Sequence, residues 1–139
     1  MTPYDPHDTY PNSRAYRELQ PLRLPAGWAV GWNELYVGMD ADLGEVGGSS
    51  VFNATNEGRR FNIDIEFRPE FDPEGAFHMT GRYQPWPRTE RGGRRHDVPF
   101  AFVIEARTVH TFETRSYPEL VAELERWIAR CTLWTPEGH

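Results

Sequence analysis

The pattern of apolar and polar positions is clearest in the middle of the chain. In the segment FNIDIEFR, apolar residues recur at every second position from Phe61 to Phe67, and polar residues fill the positions between them. Successive side chains of a strand point to opposite faces, so this pattern predicts a strand with one buried and one solvated face. After the turn-forming run PEFDPEG the alternation returns over residues 77–83. The sequence therefore predicts an antiparallel hairpin, with Arg82 opposite one of the outward carboxylates.

Weaker alternation predicts further strands around this hairpin. These strands cover residues 28–32, 51–55, 98–104 and 108–114. The first of them includes or ends in a turn or bulge near Asn33. Residues 98–104 are apolar on both faces, which is typical of a central strand, and they follow a long polar turn over residues 85–97.

The C-terminal region carries the signature of an amphipathic helix from Tyr117 to Cys131. Ser116 and Glu119 have the spacing of a capping box, and Pro118 lies in the first turn. An apolar stripe at helical spacing predicts the buried side, and it consists of Leu120, Val121, Leu124, Trp127, Ile128 and Cys131. The charged residues predicted to face outward are Glu119, Glu123, Glu125, Arg126 and Arg130.

Together these elements predict an α+β fold. We expect a mainly antiparallel, twisted sheet of about five or six strands, with the C-terminal helix packed on one face. A length of 139 residues corresponds to one domain. Residues 1–25 contain five prolines and no sustained period, so they predict an irregular N-terminal arm, and residues 26–139 form the single domain.

The composition of the chain limits the cellular compartments and the types of catalysis that are compatible with it. The single cysteine, Cys131, excludes an intramolecular disulfide, and its place on the helix stripe predicts a buried, inert thiol. The start of the chain lacks the apolar run of a secretory signal, and no stretch approaches the ~20 apolar residues that span a bilayer. We therefore predict a cytoplasmic protein without membrane association. All fifteen basic residues are arginine, which excludes Schiff-base and P-loop-lysine chemistry.

The charges are segregated along the chain. Residues 34–74 contain ten acidic and three basic residues, a net of −7, whereas residues 82–107 contain six arginines and three acids, a net of +3. An acidic middle repels phosphate, so nucleic acid is not a predicted partner. It suits a basic protein partner instead.

Two groups of charged residues are candidate binding sites. The carboxylates predicted to bind a protein partner are Asp64, Glu66, Glu70, Asp72 and Glu74. The alternative interpretation of this group is a solvated strand face and an acidic turn. The arginines of the RGGRR loop, Arg91, Arg94 and Arg95, are possible anion-binding residues, and a solvated hairpin tip is the alternative there.

Signals for catalysis and metal binding are weak. The five histidines lack the close spacing of a zinc pair, and the GGSS loop lacks the GxSxG arrangement of a nucleophile elbow. A calcium loop beginning at Asp40 would need oxygen ligands where Gly44 and Val51 stand. We predict no catalytic residues, metal or cofactor. The runner-up is a small-molecule or metal-dependent enzyme with a site on the open sheet face, near His78, His110 and the carboxylates.

Three segments resemble small bacterial proteins of the immunity type. These are LPAGWAVGWNELYV, FNIDIEFRPEFDPEGAFHM and FETRSYPELVAELERWI, and the resemblance covers roughly residues 24–130. Such proteins are single-domain α+β proteins, encoded beside secreted toxins that they bind and neutralise. The resemblance implies a non-enzymatic protein that occludes a toxin's basic surface with its acidic face. The PWPRTERGGRRHD segment departs from the compact hairpin expected at that point. A third alternative is a structural subunit of a larger complex, tethered by the arm of residues 1–25.

Overall fold

The computed structural model describes residues 18–39, 50–70, 72–98, 100 and 106–136. Its elements are β1 (Trp28–Asn33), β2 (Ser50–Asn56), β3 (Phe61–Arg68), β4 (Ala76–Tyr83), β5 (Arg107–Thr114) and α1 (Tyr117–Leu133). The strands form one open antiparallel sheet in the order β1-β2-β3-β4-β5. The predicted α+β fold, with a mainly antiparallel sheet and a C-terminal helix, is confirmed.

The predicted hairpin is formed by β3 and β4. The apolar residues of β3 are fully buried, and they lie opposite apolar or small residues of β4: Ile65 pairs with Met79 and Phe67 with Phe77. The polar residues between them lie on the other face, which we call the outer face of the sheet. The alternation at period two therefore gave the correct hairpin and the correct buried side.

The predicted strand at residues 28–32 is β1, and its bulge is visible in the pairing. The register between β1 and β2 shifts between Val30 and Trp32, so Trp32 lies on the outer face opposite Asn53. The strand predicted at residues 98–104 lies mostly outside the described residues. Val98 and Phe100, which are described, do not belong to a strand.

The helix begins where the capping box predicts. The Glu119 backbone N–H donates to the Ser116 side chain, at 3.3 Å, and the helix continues past Cys131 to Leu133. Burial of the stripe is confirmed except at Val121, which is only partly buried. Desolvation raises the pKa of the Cys131 thiol to about 12, which keeps it protonated. The prediction that Glu123 faces outward is wrong. Glu123 is only 9% exposed, because it turns toward β5 and bonds to His110.

The described part of the proline-rich segment runs along the domain. Gln20 donates its backbone N–H to the Leu35 carbonyl at 2.8 Å and accepts a hydrogen bond from the Tyr117 hydroxyl at 3.0 Å. The Arg23 backbone N–H donates to Glu125 on the helix, at 2.8 Å. Residues 20–23 thus connect the chain after β1 with α1. No helix within the described ranges is long and apolar enough to cross a membrane.

The helix packs closely on the sheet at Gly81. A Cβ atom on Gly81 would lie 2.6 Å from Nε1 of Trp127, inside van der Waals contact. We expect Gly81→Ala to lower the free energy of unfolding by about 1–3 kcal/mol, because the indole ring must move out of a packed position. Urea denaturation measures this change. Gly31→Ala is the control, since its nearest neighbour would be at 3.8 Å, and equal midpoints for the two variants would contradict the prediction.

Candidate functional site

The outer face of the sheet carries two of the five predicted carboxylates. Asp64 and Glu66 are half-buried and lie opposite Thr80 and His78 of β4. The prediction that Arg82 lies opposite a carboxylate is wrong. The register set by the β3–β4 turn places Arg82 opposite Asn62 instead.

Cross-strand pairing aligns the outer face into two rows that run across the sheet. The first row is Trp32–Asn53–Asp64–Thr80–Thr111 and the second is Ser50–Glu66–His78–Glu113. Strands in a sheet lie about 4.8 Å apart, so Trp32 and Asp64, two strands apart, are separated by about 10 Å along their row. Trp32 is 51% exposed, and its indole N–H donates to the Ser50 carbonyl at 3.0 Å.

A chain of side-chain amides fixes Asp64. Asn62, which is 5% exposed, donates from Nδ2 to Asn53 Oδ1 at 3.3 Å and to Thr55 Oγ1 at 3.0 Å. Asn53 in turn donates from Nδ2 to Asp64 Oδ1 at 3.2 Å. The Asp64 carboxylate therefore accepts one hydrogen bond from an amide that is itself held in place, and this bond restricts its orientation.

Charges on the outer face are partly compensated. The Nε atom of Arg68 lies 3.3 Å from Glu66 Oε2, and the Nδ1 atom of His78 lies 3.3 Å from Glu113 Oε1. The side chains of the Arg68–Glu66 pair are 58% and 39% exposed. An exposed pair of this kind contributes ~0–1 kcal/mol, so a partner can displace Arg68 at little cost.

The other three predicted carboxylates lie at the β3–β4 turn. Glu70 and Glu74 are exposed, whereas Asp72 is half-buried and accepts the Glu74 backbone N–H at 2.8 Å. Arg115 holds this turn by donating from Nε to the Gly75 carbonyl at 2.9 Å and from Nη2 to the Pro73 carbonyl. The five carboxylates therefore form two groups on one hairpin, one on its outer face and one at its end.

The three arginines of the RGGRR loop have different surroundings. Arg95 pairs with Asp97 at 3.1 Å, and its hydrogen bond lowers the pKa of that carboxyl. The Arg94 guanidinium lies 5.8 Å from the Trp86 ring, and Arg91 is exposed next to the tip of the turn. The contacts that the structure gives for these three arginines are therefore different from one another.

The two histidines of the runner-up site lie on opposite faces of the sheet. His78 pairs with Glu113 on the outer face, whereas His110, three residues from Glu113, pairs with Gly81 on the helix side. An odd separation along a strand reverses the face, so these histidines do not share a site.

Sequence reasoning missed a network between β5 and α1. His110 Nε2 lies 2.7 Å from Glu123 Oε2, and the His110 ring stacks on Trp127 with centroids 4.3 Å apart. Arg126 pairs with the other Glu123 oxygen, and a groove of about 420 Å³ lies beside these residues and Arg130. Both carboxylate oxygens have partners, so we interpret this network as packing between α1 and the helix side of β5. The only signal for it is the position of Glu123, one helical turn before Trp127.

A second arrangement that the sequence did not reveal surrounds Arg60. Its side chain is 2% exposed, and its Cζ atom lies 4.6 Å from the Trp86 ring centroid and 4.7 Å from that of Phe100. Nε donates to the Gln84 carbonyl at 3.1 Å, and the Gln84 backbone N–H donates to the Arg60 carbonyl at 2.9 Å. A buried guanidinium is thus clamped between two aromatic rings near the start of the arginine-rich segment.

No group of three or more histidine, cysteine or carboxylate side chains with metal-binding geometry occurs within the described ranges. Residues 40–44, where the sequence argues against a calcium loop, lie outside the described ranges. Comparison with models of protein families, with curated proteins and with solved structures finds no match to this chain.

Proposed function

We propose that this chain is a non-enzymatic binding protein that docks a basic protein partner on its outer sheet face and the adjoining β3–β4 turn. The observation that supports the proposal is the first row of the outer face, which combines an exposed aromatic ring, Trp32, with an oriented carboxylate, Asp64. Within the described part of the chain, α1 packs on the opposite face.

The row has the two properties that an interface anchor needs. Tryptophan buries a large area with few rotatable bonds, and it is enriched among residues that dominate binding energy. Asp64 is already oriented by Asn53, so binding a cationic group costs less side-chain entropy than binding to a freely rotating carboxylate would. The indole of Trp32 is likewise held by its bond to Ser50.

Charge favours a basic partner. The net −7 of residues 34–74 attracts cationic groups at a distance, and the exposed carboxylates of Glu70 and Glu74 extend the acidic surface beyond the sheet. Complementary charge mainly raises the association rate and selects the partner, whereas buried aromatic contacts supply affinity. The exposed Arg68–Glu66 pair opens at little cost and frees a second carboxylate.

The class of partner in this proposal is taken from the resemblance to bacterial immunity proteins. The partner is a toxin domain with a basic active-site cleft, encoded beside this chain, and inhibition follows from covering that cleft in the cytoplasm. No chemical step by this chain is required.

The test is a charge reversal, Asp64→Arg with Glu66→Arg. The probe is the toxin domain encoded by the neighbouring gene, and its association rate is measured at low and high salt. We expect the rate at low salt to fall about 10-fold or more, and the difference from wild type to shrink as salt shortens the Debye length below about 10 Å.

A matched control separates the position of the charges from their number. Glu18→Arg with Glu90→Arg changes the net charge by the same amount at two exposed positions off the outer face. This control should associate at a rate close to wild type, after circular dichroism has verified both folds. An equal loss of association rate in both variants would show that total charge, and not the outer face, determines the rate. A wild-type rate for the outer-face variant would show that this face is only a solvated surface.

A further inference from the structure

The environment of Arg60 is chemically incomplete. Its Nη2 atom is buried and has no hydrogen-bond acceptor among the described residues, although Nε is satisfied by the Gln84 carbonyl. The residue also has a positive φ of 67°, a conformation that side-chain-bearing residues rarely adopt. Arg60 is the last residue of the short loop between β2 and β3, and left-handed residues are common in such hairpin loops.

The aromatic rings compensate only part of the cost of burying this charge. The cation–π contacts with Trp86 and Phe100 offset part of the cost of desolvating the guanidinium. Desolvation still dominates, and it lowers the pKa of Arg60 against the opposing attraction of Tyr83 and Glu57. A buried guanidinium with an unused donor lacks an acceptor that carries negative charge.

A cavity adjoins the guanidinium. Its volume is about 250 Å³, and its lining includes Arg60, Trp86, His96, Phe100 and Glu57. The volume lies below the roughly 300–1,000 Å³ of pockets for drug-sized ligands, so the space suits a small molecule. His96 is exposed and stacks on Trp86 with centroids 4.7 Å apart, which places a movable ring at the rim.

We propose that this cavity binds a small oxyanion, a carboxylate or phosphate group that accepts a hydrogen bond from Arg60 Nη2. Planar guanidinium forks match such oxygens, and a hydrogen bond between a guanidinium and an anion is stronger than one between neutral groups. Because Nη2 is buried, the proposal requires the exposed His96 ring at the rim to shift and admit the anion. Arg94, beside the same Trp86 ring, adds positive charge nearby.

This site is separate from the proposed protein interface. Arg60 precedes the first residue of β3, whereas the carboxylate-bearing turn follows the last residue of that strand. A failure of anion binding therefore leaves the docking proposal untouched, and the reverse also holds.

The experiment titrates the full-length chain with sodium phosphate, and separately with sodium acetate, at constant ionic strength set with sodium chloride. Melting temperature and tryptophan fluorescence are recorded. We expect a saturable rise in melting temperature of several degrees with one of the two anions, since a ligand that binds only the native state stabilises it by mass action. General salt effects increase without saturation and so do not mimic the result. The two titrations also distinguish a phosphate site from a carboxylate site.

Variants assign the effect to the cavity. Arg60→Gln should abolish the saturable shift, whereas Arg95→Gln should retain it, because Arg95 is exposed and bound to Asp97. Glu57→Gln removes a negative charge from the cavity lining and should tighten anion binding about 5-fold, the effect of one unit charge at close range. Glu90→Gln removes an equal charge from the exposed loop and should leave the affinity unchanged.

The Glu57 variant keeps the test decisive even where Arg60→Gln does not fold, since Glu57 is exposed. Absence of a saturable shift in the wild-type protein with either anion would overturn the proposal. So would equal affinities for wild type and Glu57→Gln, because the anion would then bind elsewhere.

Discussion

Replacement of Trp127 by alanine is expected to lower the free energy of unfolding by about 3–5 kcal/mol. Trp127 is 5% exposed and contacts aromatic rings on three sides. It packs edge-on against Phe61 at 6.3 Å and Trp134 at 5.8 Å, and it stacks on His110 at 4.3 Å. Gly81 in the sheet beside the ring has no side chain that could fill the cavity left by the substitution.

Leu133→Ala is the matched control on the same helix, because Leu133 is 89% exposed. Its effect should stay within about 0.5 kcal/mol of wild type. Urea denaturation followed by far-ultraviolet circular dichroism gives both values without relying on tryptophan fluorescence. Similar midpoints for the two variants would show that the helix stripe is not part of the core.

The helix and the hairpin were predictable because their signals are local. The Ser116 cap, the stripe that contains Trp127, and the alternation from Phe61 to Phe67 each depend on residues within about two turns or one strand of each other. A residue's phase within such an element decides its face almost independently of the rest of the chain. The burial of these residues follows directly from that phase.

The burial of Glu123 and Arg60 could not be predicted, because it depends on residues that are distant in the sequence. Glu123 looks like an outward helix residue until His110, 13 residues away, supplies a partner, and Arg60 looks like part of an exposed turn until Trp86 covers it. Whether a charged side chain is buried depends on the partner that compensates it, and that partner is distant in sequence.

The candidate sites likewise include features that depend on local sequence and features that depend on distant residues. The phase of β3 placed Asp64 and Glu66 on the outer face, but the alignment of Trp32 with Asp64 depends on the bulge in β1 and on the register of three strands. Charge density in the RGGRR loop predicted possible anion binding by Arg91, Arg94 and Arg95, and that stays a prediction. It identified a basic region, whereas desolvation, which a sequence does not display, singles out Arg60.

Arg59→Met is the second substitution with a large expected effect, and we expect it to cost about 2–4 kcal/mol. Arg59 joins the β2–β3 turn to the end of α1. Its Nε donates to the Cys131 carbonyl at 2.9 Å and its Nη2 to the Trp134 carbonyl at 2.7 Å. The last carbonyls of a helix have no hydrogen-bond donor within the helix. A cation near them also interacts favourably with the negative end of the helix dipole.

Hydrogen exchange separates this role from general packing. In the Arg59 variant, backbone amides of residues 130–134 should exchange faster than those of residues 120–124, because the C-terminal turn of α1 loses its cap while its start keeps Ser116. Arg59→Lys should give an intermediate loss, since an ammonium group keeps the charge but not the fork that spans two carbonyls. Arg91→Met, at an exposed position, should change neither stability nor exchange. Uniform acceleration along the whole helix would show that Arg59 acts on the global fold rather than as a cap.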